Sequence, residues 1–344
     1  MADVSVLVPV YNTELYLREC LDSIAAAVNR CEAQISVEVL LADDGSTDGS
    51  AAVLSEYAEQ YPYMRLYRRE NRGAAAERNF LLRKARGEYV LFVDSDDRIR
   101  PEMIARLLGA AREQSADIAV CDLEFIYGDS TKNEVRSCLG DGENLYARLM
   151  DCELVAASCN KLIRRGLFEG LRYPGGAGPE DIAVIPVILA RAERIAVVNE
   201  PLYQYRQREG SIMRSSFGAG QMAIPGRVRL CLQRAEVCGV SDKKMAILRR
   251  SLYERQVLAV MLFQIRRLPF AERGRALGWF VRRTEYVLPD FWARVRMDGA
   301  AFTESRAERA VLALSARLVR RHAFGCVSAL WQGMNAAYDA LHRG

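Results

Sequence analysis

The front of the chain alternates short apolar runs with amphipathic stretches. Val4 to Val10 is a β-branched apolar run of the kind that forms a strand buried on both faces. Tyr11-Asn12-Thr13 breaks it. Leu17, Leu21, Ile24 and Val28 then recur at three- and four-residue spacing, which predicts a helix with one apolar face. The alternation continues. Val37 to Ala42, Met64 to Tyr67, Tyr89 to Val93 and Ile118 to Cys121 read as strands. Between them, helices are predicted around Val53 to Tyr61, Ala74 to Ala85 and, opened by Pro101, Ile104 to Ala111. Strands separated by helices of this length predict a parallel sheet with helices on its faces. Such sheets bind ligands outside the carboxyl ends of their strands, which directs attention to the loops at 11–13, 43–48 and 94–97.

From about residue 140 the order loosens. Leu145 to Met150 and Asp181 to Ala192 read as helical, and Ile195 to Val198 and Leu202 to Arg206 as short strands. Ser211 to Gly220 is rich in Ser and Gly and reads as a linker. The rest is predicted helical, roughly over 221–238, 243–267, 271–286 and 305–342. The expected organisation is an α/β domain over 1–215 followed by a mostly α-helical domain over 216–344.

Charge sharpens that division. Residues 221–344 hold 22 Lys+Arg and 10 Asp+Glu, whereas 1–220 hold 26 and 34, so the net charge of +4 conceals an acidic front and a basic back. The nine cysteines are scattered singly and read as reduced thiols. The start of the chain lacks a signal-peptide pattern, and the longest apolar run, Val257 to Phe263, is far short of a membrane span. A cytoplasmic protein is expected. The only two histidines, His322 and His342, lie near the C-terminus, so a general base in the main body must be a carboxylate, Lys, Tyr or Cys.

The three loops carry the candidate chemistry. In Asp94-Ser95-Asp96-Asp97, alternate residues past a strand end can gather carboxylates suited to a hard divalent cation, or simply cap the helix before Pro101. Asp43-Asp44-Gly45-Ser46-Thr47-Asp48 can accept hydrogen bonds from a base or ribose, or form an Asx turn. Tyr11 can stack on a base. Glu180-Asp181 offers carboxylates that could also be first-turn helix acids.

Taken together, these blocks resemble the glycosyltransferase family 2 enzymes with their GT-A fold, over about residues 3–215. The resemblance rests on Val4-Ser5-Val6-Leu7-Val8-Pro9-Val10-Tyr11-Asn12, Ala42 to Asp48, Asn71-Arg72-Gly73 with Arg78-Asn79, and Gly87 to Asp97. Asn160-Lys161-Leu162, Glu180-Asp181 and Tyr203-Gln204-Tyr205-Arg206 with Ser211 follow in order. It implies a Rossmann-like mixed sheet with helices on both faces. It also implies that Tyr11 and Asp44 hold the base, usually uracil, with Pro9 and Arg78 lining its pocket. Asp94 would touch the ribose, Asp96 would bind Mg²⁺ or Mn²⁺ bridging the diphosphate, and Asp181 would be the base. Glu77 departs from the common pattern, since a small residue usually precedes Arg-Asn.

The expected activity is inverting transfer of a sugar from a nucleotide-diphosphate sugar, in first place a UDP-sugar, to a hydroxyl of a glycan or lipid-linked acceptor. Glu180 is the alternative base. Arg206 and Arg208 are candidate diphosphate contacts, or else a solvated strand end, and 173–179, with three glycines and two prolines, is a candidate lid or an ordinary connection. A sugar nucleotidyltransferase is the runner-up, disfavoured because no glycine-rich basic loop follows the first strand, and a non-catalytic nucleotide-binding scaffold is the third reading. In the tail, Arg249-Arg250, Arg266-Arg267, Arg282-Arg283 and Arg320-Arg321 are paired among apolar stripes. Peripheral contact of 221–344 with anionic membrane, acceptor binding and a homodimer all stay open. Nucleic acid is not expected, because no recognised binding motif accompanies the charge.

Overall fold

The computed structural model describes residues 2–31, 35–127, 134–136, 145–151, 156–207, 217–297 and 306–341. Arg208, Ser211, His342 and the first part of the expected linker lie outside the described residues. The chain divides into two compact units, one of residues 1–176 with 184–211 and one of 177–183 with 212–344.

The first unit follows the sequence pattern through β1 (Val4–Val10), α1 (Glu14–Asn29), β2 (Val37–Asp43), α2 (Ser50–Gln60), β3 (Met64–Arg68), α3 (Ala74–Lys84) and β4 (Tyr89–Phe92). These four strands are parallel, in the order β3-β2-β1-β4. A two-residue strand β5 (Arg98–Ile99), α4 (Met103–Glu113), β6 (Ile118–Tyr127), β7 (Glu134–Arg136), α5 (Leu145–Asp151) and β8 (Lys161–Arg164) come next. After them come α6 (Ile185–Arg191) and β9 (Ile195–Gln207). Beyond β4 the order continues β8-β6-β9-β5, with β7 on β6. β8 runs antiparallel to both its neighbours, so the sheet is mixed and not the parallel one that periodicity alone predicts.

Two strands exceed their apolar signal. β6 runs ten residues because Asp122 and Glu124, which interrupt the apolar pattern, are themselves buried. β9 is a single strand where two were expected. It pairs with β6 throughout, with a register irregularity around Asp122 where Val198 gives way to Pro201. Proline cannot donate to a ladder, and a bulge absorbs it. The helix expected over 181–192 is a 3₁₀ turn at Asp181–Ala183 followed by α6. The core is built from the strands and from α1, α2 and α4. Leu17, Leu21 and Ile24 of α1 and Ile104, Leu107 and Leu108 of α4 are fully or almost fully buried in it.

The second unit is helical: α7 (Ala219–Val237), α8 (Asp242–Ser251), α9 (Phe270–Val287), α10 (Phe291–Arg294), α11 (Arg306–Arg320) and α12 (Phe324–Leu341). α8 continues into wide π-helical turns over Leu252–Leu258 and Val260–Gln264. The single helix expected over 305–342 is broken at His322, whose backbone is left-handed (φ 56°). Several arginines are structural. Arg296 grips the buried Glu254 with Nε and Nη2 at 2.9 and 2.8 Å. Arg249 donates to Asp290 at 2.8 Å, and buried Arg273 donates to the Leu268 carbonyl. Trp331 is buried and donates to Ser315 Oγ at 3.1 Å.

Candidate active site

β1, β2 and β4 deliver the three acidic or polar loops to one edge of the sheet because they are parallel and in register. Val10 pairs with Asp43, and Leu7 pairs with Phe92. Pro9 lies beyond the last residue that pairs with β4. Tyr11 follows, 48% exposed. Asn12 takes a left-handed conformation (φ 50°), which Asn tolerates better than most residues.

That turn binds the second loop. The Asn12 amide side chain donates to Thr47 Oγ1 and accepts from the Thr47 N–H at 2.8 Å, and its own N–H donates to Ser46 Oγ. The Thr13 N–H donates to Ser50 Oγ, the Glu14 N–H to Asp48, and the Gly49 N–H to the Glu14 carboxylate. The third loop joins through Thr13 Oγ1, which donates to Ser95 Oγ at 3.0 Å.

Asp43 forms the Asx turn, accepting from the Ser46 N–H at 3.0 Å. Asp44 is buried, and its two oxygens accept from the N–H groups of Arg72 (2.6 Å) and Gly73 (2.8 Å). It therefore fixes the Asn71-Arg72-Gly73 turn that leads into α3. Gly45 is required between them. Its φ is +70°, and a Cβ there would meet the Asn71 nitrogen at 3.0 Å. Glu77 does not leave a charge open to the pocket. It is fully buried and paired with Arg69 at 2.8 Å.

Arg78 and Asp94 are brought together. Arg78, 7% exposed, donates from Nη2 to Asp94 Oδ1 at 2.7 Å. The neighbouring Asn79 clamps the Tyr173 backbone, donating to its carbonyl and accepting from its N–H. Asp94 and Asp96 are half-buried, whereas Asp97 is almost completely buried. Asp97 Oδ2 accepts from the Tyr203 hydroxyl at 2.7 Å and Oδ1 from the Arg206 N–H at 2.8 Å. Tyr203 in turn accepts from the Asp94 N–H at 3.2 Å. Burial, and then the charges of Asp94 and Asp96, push the Asp97 carboxyl well above the usual carboxylate range. Burial, and then Asp97, push the Tyr203 phenol up as well.

Arg206 is not a solvated strand end. Its side chain is 14% exposed. Nε donates to the Asp96 carbonyl at 3.1 Å, Nη2 to Glu19 at 2.6 Å, and the guanidinium stacks on Tyr16. Tyr203, Asp97 and Glu19 belong to the hydrogen-bonded network around the acidic loop without having been candidates. Asp97 lay in the acidic motif and Tyr203 in the Tyr-Gln-Tyr-Arg block, but nothing in one strand's sequence tells which partner it meets across the sheet.

Glu180 and Asp181 lie in the second compact unit, both half-buried, with Asp181 opening its 3₁₀ turn. In the same unit Gly178 packs closely under α7: a Cβ there would meet the Gly220 carbonyl at 2.7 Å. Among the described residues no group of three His, Cys, Asp or Glu side chains is assembled to hold a metal by itself.

The glycosyl transferase family 2 model matches residues 5–172. GlyG of Streptococcus pneumoniae, a glycosyltransferase, is 32% identical over 228 residues, which are 62% of this chain and 74% of that protein. This chain belongs to glycosyl transferase family 2. GlyA of the same organism is 35% identical over 223 residues, but the chain spans only 31% of its length. Among solved structures, S. aureus TarS 1–349 in complex with UDP-GlcNAc aligns with a TM-score of 0.71 at 20% identity, covering 98% of this chain and 92% of that one. A mannosyltransferase from Pyrobaculum calidifontis, solved with GDP-Man and Mn²⁺, aligns at a TM-score of 0.51 and 20% identity over 99% and 87%. The fold is thus the GT-A arrangement of this family with a helical C-terminal region. The family assignment sets aside the sugar nucleotidyltransferase reading.

Proposed function

We propose that the protein is an inverting glycosyltransferase that takes a sugar from a UDP-sugar and attaches it to a hydroxyl of a glycan or lipid-linked acceptor. One observation carries this reading. Asp94, Asp96, Asp97, Arg78 and Arg206 form one hydrogen-bonded cluster outside the carboxyl ends of parallel strands, where such folds bind nucleotides. The relatives' complexes with UDP-GlcNAc and GDP-Man support the donor class.

In this reading Tyr11 stacks on the base and Asp44 holds the turn against which it rests. The Asp94 carboxylate, oriented by Arg78, receives the ribose hydroxyl. The donor set suits Mg²⁺ or Mn²⁺. Asp96 is a hard oxygen ligand beside two carboxylates already engaged by Arg78 and Tyr203, which fits an ion that completes its shell with water and substrate phosphate. Bound there, such an ion would supply charge compensation for the departing diphosphate. Asp181 accepts the proton of the acceptor hydroxyl as its oxygen attacks the anomeric carbon and the bond to the diphosphate breaks, inverting the centre in one displacement. A cytoplasmic setting belongs to the same proposal.

The test is thermal stability against a panel of nucleoside diphosphates with and without Mn²⁺. The expected result is a rise in Tm with UDP that requires Mn²⁺ and disappears in Asp96→Asn, whose own Tm without ligand is unchanged. A shift that persists in Asp96→Asn would remove the metal assignment. No shift with any nucleotide would favour the scaffold reading.

A further inference from the structure

We propose that the outer face of α9 seats the protein on an anionic lipid surface. Arg275, Trp279, Arg282, Arg283 and Tyr286 are all exposed and recur at helical spacing on one side of this helix. Leu277, Phe280 and Val281 on the other side are buried. Trp279 is 55% and Tyr286 81% exposed, an unusual cost for large aromatic rings in water. Aromatic rings with a polar edge settle at the level of lipid headgroups, and arginines beside them lie along the apolar surface while their guanidinium groups reach phosphate.

The charge balance of the face is cationic. Of the acids on α9, Glu272 sits in the first turn. Glu285 Oε1 is engaged by Trp292 Nε1 at 2.8 Å and by His322 Nε2 at 2.9 Å. The same His322 contact brings the Arg320-Arg321 turn, exposed on both residues, beside the C-terminal half of α9. The face therefore joins two aromatic anchors to arginines from two helices. Helices of this character lie flat in an anionic interface. No helix among the described residues is long and apolar enough to cross a membrane, so the contact is peripheral. This surface is independent of the proposed reaction.

The test is co-sedimentation of the full chain with vesicles of phosphatidylcholine alone or with roughly one-third phosphatidylglycerol, at low and high salt. Binding is expected to the anionic vesicles only, and to weaken with salt. The paired substitution R282E/R283E should reduce partitioning on the order of ten-fold or more, since each interfacial arginine contributes about five-fold. Trp279→Ser should weaken it several-fold and remove a blue shift of tryptophan emission on vesicle addition. Trp331 is buried and Trp292 is half-buried with its Nε1 on Glu285, so loss of the shift in Trp279→Ser is what assigns it to Trp279. Both variants should keep the wild-type Tm and nucleotide response, which separates loss of docking from failure of the catalytic reading. Equal partitioning to neutral vesicles, or full retention in R282E/R283E, would overturn the proposal. So would absent vesicle binding with a dimer, seen by sedimentation velocity, that the same substitutions dissociate.

Discussion

Glu77 stands where the family usually has a small residue, and the structure buries it completely against Arg69. Burial pushes its carboxyl above the usual range, and the Arg69 guanidinium opposes this without reversing it. The folded state therefore holds this proton more tightly than the unfolded chain does. The group's stabilising contribution is fully present below the unfolded value of about 4.3 and is lost as pH rises through the folded one. Glu77→Gln does not titrate, so its Tm relative to wild type should rise as pH climbs from about 4 through the titration of the folded wild type. A relative Tm that falls over that window would mean that pairing with Arg69 outweighs burial. Asp44 teaches a second lesson at this scale. Its position in the acidic loop was legible, but its two backbone partners at Arg72 and Gly73 lie 28 and 29 residues along the chain, beyond the reach of local pattern.

Among the elements, the strands and helices up to β4 were legible because each carries one period and ends at a polar break. β9 was not, since Asn199-Glu200-Pro201 interrupts its apolar signal while pairing with β6 carries it through. The same strand holds the residue on which the acidic loop depends. Tyr203 bridges the Asp94 N–H and the Asp97 carboxyl from within the sheet. Tyr203→Phe removes both bonds and leaves a buried carboxyl short of a donor, a loss of roughly 1–3 kcal/mol. A lower Tm and weaker Mn²⁺-dependent UDP stabilisation are expected. An unchanged Tm with unchanged nucleotide response would show that β9 and the acidic loop are held by other bonds.

For the whole molecule, the assignment of segment 177–183 to the helical unit was not legible, because the resemblance to the family runs through it without interruption. The proposed base therefore belongs to a different compact unit from the proposed nucleotide contacts. Holding the donor and removing the acceptor's proton are different roles carried by different side chains, so they should be separable by substitution. Asp181→Asn should keep the UDP response of the wild type while turnover falls by roughly 10²–10⁴, the usual contribution of a general base. Near-normal turnover would move the base elsewhere, with Glu180 the first to substitute. The charge asymmetry, legible from composition, resolves in the structure into arginines that brace the helical unit, such as Arg249 and Arg296, and arginines that face outward.

The turn at Asn12–Glu14 has a consequence for how such a site is inherited or rebuilt. Its backbone and side chains supply bonds to Ser46, Thr47, Asp48, Gly49, Ser50 and Ser95, so neither acidic loop is a self-contained insert. A designer moving the Asp94–Asp97 loop to another scaffold would leave behind the hydroxyl that steadies Ser95. One moving 43–50 would leave behind the asparagine that folds it. The smallest transplantable piece of this site is three strand ends together, and drift in any one of them constrains the other two.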